Sequence, residues 1–350
     1  MKSRFKLALA ALVAGSAALG AAFAPGDAAA QGVSFKGKTV SIVVFSPPGA
    51  PPDLWFRQIG PYLSKHLPGN PEVRYINKGG GGSVVAANYT YNALKPDGTN
   101  VGSFNAPGAA ESVRGKRKVQ FDTSKMSFIG AQTITRIVGF RGDSGTTDLN
   151  SFVKATKKHL IGLQAADTPY YEAFYRIMGI DYQVFSAYPR FAQRLQAMRT
   201  GEINTTPFAH LTWVQNLSTY KKTDFHAVYQ MGYMDGSGEI VPVTVGGMDK
   251  VPTGHSIVKK HKPKAVGSRD WKIMTSVAAG QGVAREVWAP PGTEAKYVAA
   301  WRKAFVATSN DAQYKADHQK AWGVPMSWIP GDVGEPIVKK YLDMNRPGAF

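Results

Sequence analysis

The chain contains no cysteine in 350 residues, which excludes a disulfide framework, a thiol nucleophile and any cysteine-based metal site. Histidine is scarce as well. The seven His residues are scattered, and no H-x-H or H-E-x-x-H spacing brings two of them together as ligands. The serine-hydrolase pattern G-x-S-x-G is missing too. Negative charge is the other deficit, with 24 Asp and Glu against 42 Lys and Arg, a formal net charge of +18. These absences leave little for an enzyme or a metalloprotein to work with. Neither a cofactor nor a metal is called for.

The N-terminus does not read as folded protein. A short basic start, "MKSRFK", precedes the apolar, Ala-rich run "LALAALVAGSAALGAAFA" and a small-residue site around Ala28 and Ala30. That order is the pattern of a cleavable secretory signal peptide over residues 1–30, cut before Gln31. A transmembrane anchor fits less well, because the run is only just long enough to span and ends in a processing site. A soluble periplasmic product is expected. Removing Lys2, Arg4, Lys6 and Asp27 leaves about +16 on the mature chain. Export argues against a nucleic-acid partner. The basic runs "RGKRK" (114–118) and "KKHKPK" (259–264) read as solvated loops. A positive field of this kind also favours capture of anionic solutes.

A mature chain of roughly 320 residues exceeds one growing core, so two domains are expected. "KTVSIVVF" is a β-branched run ended by "SPPGAPPD", and a helical pattern follows in which Asp53 is placed to cap. "EVRYIN" is a second strand, "NKGGGGS" a loop, "SVVAANYTYNAL" a helix and "TNVGSF" a third strand. Strand, helix, strand, helix, strand predicts a parallel sheet with crossover helices. The alternation continues through "FIGAQTITRIVGF", "DLNSFVKATKK", "LIGLQA", "YYEAFYRIMG", "DYQVFSAY", "RFAQRLQAMRTG" and "EINTTPF" to "GVAREVWAPPGT".

In open parallel sheets, ligands bind beyond the carboxyl ends of the strands. The loops "SPPGAPPD" and "NKGGGGS" both follow a strand and precede a helix, so both fall on that edge. Four consecutive glycines, Gly79 to Gly82, allow positive φ and bare the backbone N–H groups. The helix start behind them adds unpaired donors and a positive dipole end. The combination makes an anion cradle without a charged side chain. Nucleotide fingerprints fail here, and a carboxylate fits better, although a glycine run can also serve only a tight turn.

Pro47, Pro48, Gly49 and Asp53, then Asn77 with Gly79 to Gly82, then Pro96, Asp97 and Gly98, follow one another in the order and spacing of a known family. The chain resembles the receptor component of tripartite tricarboxylate transporters, the Bug-type periplasmic solute-binding proteins. "FDTSKMSFIG", "LQAMRTGEIN" and "VWAPPGT" resemble later segments of that family, so the likeness spans nearly the whole mature chain. It implies an α/β type II periplasmic-binding-protein fold, two lobes joined by crossing strands and closing on a small carboxylate. The lobe boundaries expected are 31–135 plus 275–350, and 136–274. It also implies a monomer that docks transiently on inner-membrane transporter subunits. First-lobe contacts would come from Ser46, Pro47, Gly49, Ala50, Asp53, Gly79, Gly80, Gly81, Gly82, Ser83 and Asn105.

The second lobe departs from the family pattern. Its candidate residues are Thr168, Tyr170, Tyr171, Tyr188, Arg190, Thr206 and Phe208. Two readings stay open for the tyrosines: packing at a helix start, or rings that stack on an apolar or aromatic solute. C4 and citrate-like carboxylates are implied by the resemblance, an aromatic carboxylate by the rings. A sensor of the same fold, passing its closed form to a signalling partner, is the alternative function. An exported hydrolase is disfavoured by the missing motifs.

Overall fold

The computed structural model describes residues 32–349 except Lys116, Arg117, Ala165 and Pro189. The expected signal segment 1–30 and its cleavage point at Gln31 lie outside the described residues. In chain order the strands are β1 (Thr39–Val44), β2 (Glu72–Asn77), β3 (Asn100–Asn105), β4 (Ser127–Gln132), β5 (Arg136–Arg141), β6 (His159–Gly162), β7 (Tyr182–Phe185), β8 (Thr205–Ala209) and β9 (Phe225–Gln230). A short hairpin, β10 (Tyr233–Met234) and β11 (Ile240–Val241), is followed by β12 (Arg285–Ala289) and β13 (Trp328–Pro330).

These strands form two separate sheets of matching design. The first runs β2-β1-β3-β12-β4-β13 and the second β7-β6-β8-β5-β9. In the first, β1 pairs in parallel with β2 and β3, while β12 is antiparallel to both β3 and β4. In the second, β6 pairs in parallel with β7 and β8, and β5 is antiparallel to β8 and β9. Each sheet therefore admits one reversed strand from chain arriving out of the other sheet, and in the first sheet the edge strand β13 is reversed as well, antiparallel to β4. β5 comes directly from β4 through Thr133–Thr135, and β12 returns after the second sheet is complete. Two lobes result, joined by these crossings.

Both sheets are buried on both faces, as parallel sheets under crossover helices must be. The β1 residues Val40, Ile42 and Val44 pack with Trp55, Phe56, Ile59, Leu63, Trp301 and Phe305. On the opposite face, Phe104, Phe128 and Trp288 meet Ala109 and Tyr341. In the second lobe Val138 and Phe140 pack with Phe152, Phe174 and Tyr229, and Ile137 and Phe208 with Trp213 and Tyr220 on the other side.

Two local expectations are corrected. Asp53 is not the helix cap: the helix runs Pro51–His66, with Ala50 at the N-cap and no side-chain cap bond. Two prolines can open a helix because its first N–H groups need no intrahelical partner, which moves the start upstream of Asp53. The segment 259–264 is not wholly loop, since the helix Gly254–His261 carries Lys259, Lys260 and His261 in its last turn. Cations there complement the helix dipole, and both lysines are exposed.

Candidate functional site

The carboxyl ends of β1, β2 and β3 bring the two Gly/Pro loops and Asn105 to one edge of the first sheet. The glycine loop has an unusual backbone. Gly80, Gly81, Gly82 and Ser83 have φ of 122°, 57°, 63° and 78° in succession, a left-handed path open to glycine and strained for most other residues. Added Cβ atoms would meet little: Val85 Cγ2 at 3.3 Å from Gly80 and nothing within 4 Å of Gly82. The run is glycine for its conformation, not for lack of room inside the protein. Its product is a bare, exposed stretch in which the N–H groups of Gly79 to Gly82 meet no backbone acceptor. The helix Val84–Ala93 begins directly behind it.

Side chains expected at this edge divide into supports and free groups. Asp53 is a support. Its carboxylate accepts from Gly49 N at 2.8 Å, Arg57 Nε at 2.9 Å and Asn77 Nδ2 at 2.8 Å, and Asn77 Nδ2 also donates to Ser46 O at 2.9 Å. Burial alone would raise the Asp53 pKa, but hydrogen bonds from Arg57, Asn77 and Gly49 outweigh it and hold the group below its usual value. The clamp ties the first loop to the end of β2 and takes up the N–H of Gly49. Ser83 is a support too: its hydroxyl donates to Asn105 Oδ1 at 3.0 Å and accepts from Asn105 N at 3.1 Å. Asn105 Oδ1 also accepts from Gly108 N, which leaves its Nδ2 as the available group. Pro47 and Gly49 are exposed on the loop and Ala50 is half-buried. Ser46 differs from all of these, being 7% exposed with a hydroxyl that has no partner.

For the second-lobe candidates the two open readings are core packing and rings that face a solute. Tyr170, Tyr171, Thr206 and Phe208 are fully buried. Tyr170 packs edge-on against Tyr171 at 5.2 Å between ring centroids and beside Phe174. Phe208 meets Trp213 at 4.8 Å, and Thr206 Oγ1 donates to Gly162 O at 2.8 Å. A ring inside the core offers no face to a solute, so core packing is the outcome for these residues. Thr168 Oγ1 donates back to Gln164 O, the Tyr188 hydroxyl to Glu202, and Arg190 is exposed before the helix Phe191–Thr200.

Other residues occupy the second-lobe edge, and the sequence reading missed them. Arg136, the first residue of β5, donates from Nε to Asp167 Oδ2 at 2.9 Å, and Gln164 Nε2 donates to the same oxygen. His210 accepts at Nδ1 from Thr135 N at 3.2 Å, which puts the ring proton on Nε2. Burial, aided by the charges of Arg136 and Arg285, pushes its pKa down to about 4, so it is a neutral donor. On the first lobe, Arg285 opens β12 opposite Asn105 and Gln132 and donates from Nη1 to Gln132 Oε1 at 2.8 Å. The visible signal was an arginine breaking each of two apolar runs, "TITRIVGF" and "GVAREVWA".

A cavity of about 330 Å³ is lined by Pro107, Ala166, Pro169, Gln281 and Tyr341 among others, and neither the glycine loop nor Arg136 or Arg285 lines it. Among the described residues no cluster of His, Asp or Glu could hold a metal ion. No helix among them is long and apolar enough to cross a membrane.

No family model matches the chain, and no curated protein matches it. Solved structures do. A TctC solute binding protein from Polaromonas superposes with a TM-score of 0.62 at 14% identity, over 89% of this chain and 99% of the other. A Rhodopseudomonas palustris protein with adipate gives 0.57 at 16%, over 88% and 96%. MatC from the same organism, with bound malate, gives 0.55 at 15%, over 88% and 99%.

Proposed function

We propose that this chain, which has the two-lobed periplasmic-binding-protein fold of the structures it superposes on, is a periplasmic solute receptor. It captures a small carboxylate by lobe closure and delivers it to a tripartite tricarboxylate-type membrane transporter. The observation that carries the reading is the left-handed run Gly80–Ser83, which bares unpaired N–H groups on the sheet edge that meets the other lobe. Such a run is an anion site built from backbone alone. The Ser46 hydroxyl and Asn105 Nδ2 flank it. Malate and adipate in two structural neighbours support a carboxylate as the solute class, and the buried tyrosines favour an aliphatic one.

The lobes divide at Thr135 on the outward crossing. The lobes proposed are 31–135 plus 275–350, and 136–274, with the helix Arg269–Gly282 spanning the return. Closure follows from contacts that a bound solute makes to both lobes, which raise the population of the closed state. A thermal-shift screen of aliphatic and aromatic mono-, di- and tricarboxylates on the mature protein tests the proposal. A true ligand at one hundred times its dissociation constant stabilises by about 2.7 kcal/mol. No shift with any carboxylate would overturn it.

A further inference from the structure

Arg285 is a charge without a counter-charge. It is 9% exposed, and its guanidinium has one hydrogen-bond partner, the neutral Gln132 amide. No carboxylate of the described residues stands within ion-pair distance. The side chains packed around it are neutral as well. The Trp55 ring centre lies 6.0 Å from Cζ, and Tyr314 and His318 sit in the same field. One polar atom of this surround, His318 Nε2, is buried and unpartnered. Burial and the like charge of Arg136 push the Arg285 pKa down to about 10, which still leaves it cationic at neutral pH.

A buried, unpaired guanidinium is costly, and proteins rarely keep one without a partner. The position supplies the reason. Arg285 stands opposite Asn105 and Gln132, on the same edge as both cradle loops. In the second lobe, Arg136 holds the equivalent place and is neutralised by Asp167. Only the first-lobe arginine is left open.

We propose that Arg285 is the charge-recognising residue of the cleft, the counter-ion for one carboxylate of an aliphatic dicarboxylate whose other end rests on the glycine cradle. β12 lies two positions from β1 and three from β2 in the sheet order. At about 4.8 Å per strand, that places the two anion positions roughly 10–14 Å apart along the edge, a span that Arg and loop reach shorten toward a small diacid. His210 on the second-lobe edge, with its proton on Nε2, and Asn105 Nδ2 on the first are further neutral donors. The inference rests on the receptor reading above and deepens it by assigning the charge that selects the solute.

The test compares wild type with Arg285→Gln and Arg285→Lys by titration calorimetry, using a C4 and a C6 dicarboxylate and the monoamide of each. Wild type should bind the diacid at least about tenfold tighter than its monoamide, since a hydrogen bond to a charged group is at stake. Arg285→Gln should lose about tenfold to 100-fold for the diacid and show no preference over the monoamide. Arg285→Lys should keep most of that preference. The apo unfolding midpoint of Arg285→Gln should be unchanged or raised, because a buried unpaired charge is gone. Equal losses in the Gln and Lys variants, or a Gln variant that keeps the diacid preference, would overturn the assignment. Wild type that binds no carboxylate at all would instead overturn the receptor reading itself.

Discussion

In the first lobe the crossing strand opens on Arg285, in the second on Arg136, and the two residues hold the same place in sheets of the same strand order. Their surroundings are opposite. Arg136 is paired with Asp167 and supported by Gln164, whereas Arg285 meets an amide and an aromatic face. The loops follow the same division. The first lobe ends its strands in bare backbone, while the second-lobe hydroxyls of Thr168 and Thr206 bond within their own lobe and the rings of Tyr170 and Phe208 are buried. On the receptor reading proposed above, the first-lobe arginine is free to meet an anion and the second-lobe arginine is already neutralised.

That contrast is most severely tested at Asp167. Replacing it by Asn leaves Arg136, whose side chain is 18% exposed, without a counter-charge, and removing one partner of a largely buried pair costs up to about 3–5 kcal/mol. Urea unfolding of Asp167→Asn should show this loss, against no loss for Arg285→Gln. A cost below about 1 kcal/mol would mean the pair is relaxed by solvent, as surface pairs are, and the two lobes would not differ in the way described.

The Asp53 clamp comes next in size. Arg57 is half exposed, so its ion pair adds little, and the weight rests on the buried bonds from Gly49 N and Asn77. Asp53→Asn should cost about 2 kcal/mol at pH 7, in the range for hydrogen bonds to a charged group. The folded carboxylate titrates below its ordinary 3.8. Its contribution is therefore full above that value and disappears as pH falls through the lower, folded one. Equilibrium unfolding at pH 7 and pH 3 should show the gap between wild type and variant narrowing. A gap that stays constant would place the clamp's strength elsewhere.

β12 carries a second asymmetry. Beside Arg285 stands Glu286, fully buried on the opposite face, while the matching position after Arg136 is the apolar Ile137. Burial pushes the Glu286 pKa up to about 8, against the bond that Trp288 Nε1 donates at 2.8 Å. The folded state holds this proton more tightly than the unfolded one, so stability falls as pH rises from 4.5 toward 8. The slope approaches about 1.4 kcal/mol per pH unit. Glu286→Gln should flatten that slope in unfolding curves taken from pH 5 to 8. An unaltered slope would assign it to other groups.

The parallel strands and the first-lobe edge were legible because their signals are local: β-branched runs, Pro/Gly punctuation and a glycine quartet. The distal wall was not, because a tyrosine pair at a helix start reads the same whether it faces core or cleft. Only the path of the helix Thr168–Met178 against Val138 and Phe140 turns Tyr170 and Tyr171 inward. The arginines were hidden for a different reason. Arg136 and Arg285 gain their meaning from strand order, which places the first residue of a reversed strand beside the carboxyl ends of its neighbours. No window of sequence contains that adjacency. The role of Asp53 was misjudged by one turn, since the prolines that start the helix displaced the cap to Ala50.

The smallest effect on stability is expected in the cradle, where it isolates binding from folding. Gly82 has φ 63° and Gly179, at the end of the helix Thr168–Met178, has φ 71°; an added Cβ meets nothing within 4 Å at either. Asn tolerates this conformation, so Gly82→Asn and Gly179→Asn should each cost under about 1 kcal/mol in unfolding. They differ in what lies above them. At Gly82 the new side chain crowds the bare N–H groups, and calorimetry should show carboxylate affinity falling about tenfold, equivalent to about 1.4 kcal/mol. At Gly179, on the second lobe and away from the sheet edge, affinity should not change. Equal affinities in both variants would mean that the four glycines serve the turn alone and that the solute is held by side chains such as Arg285.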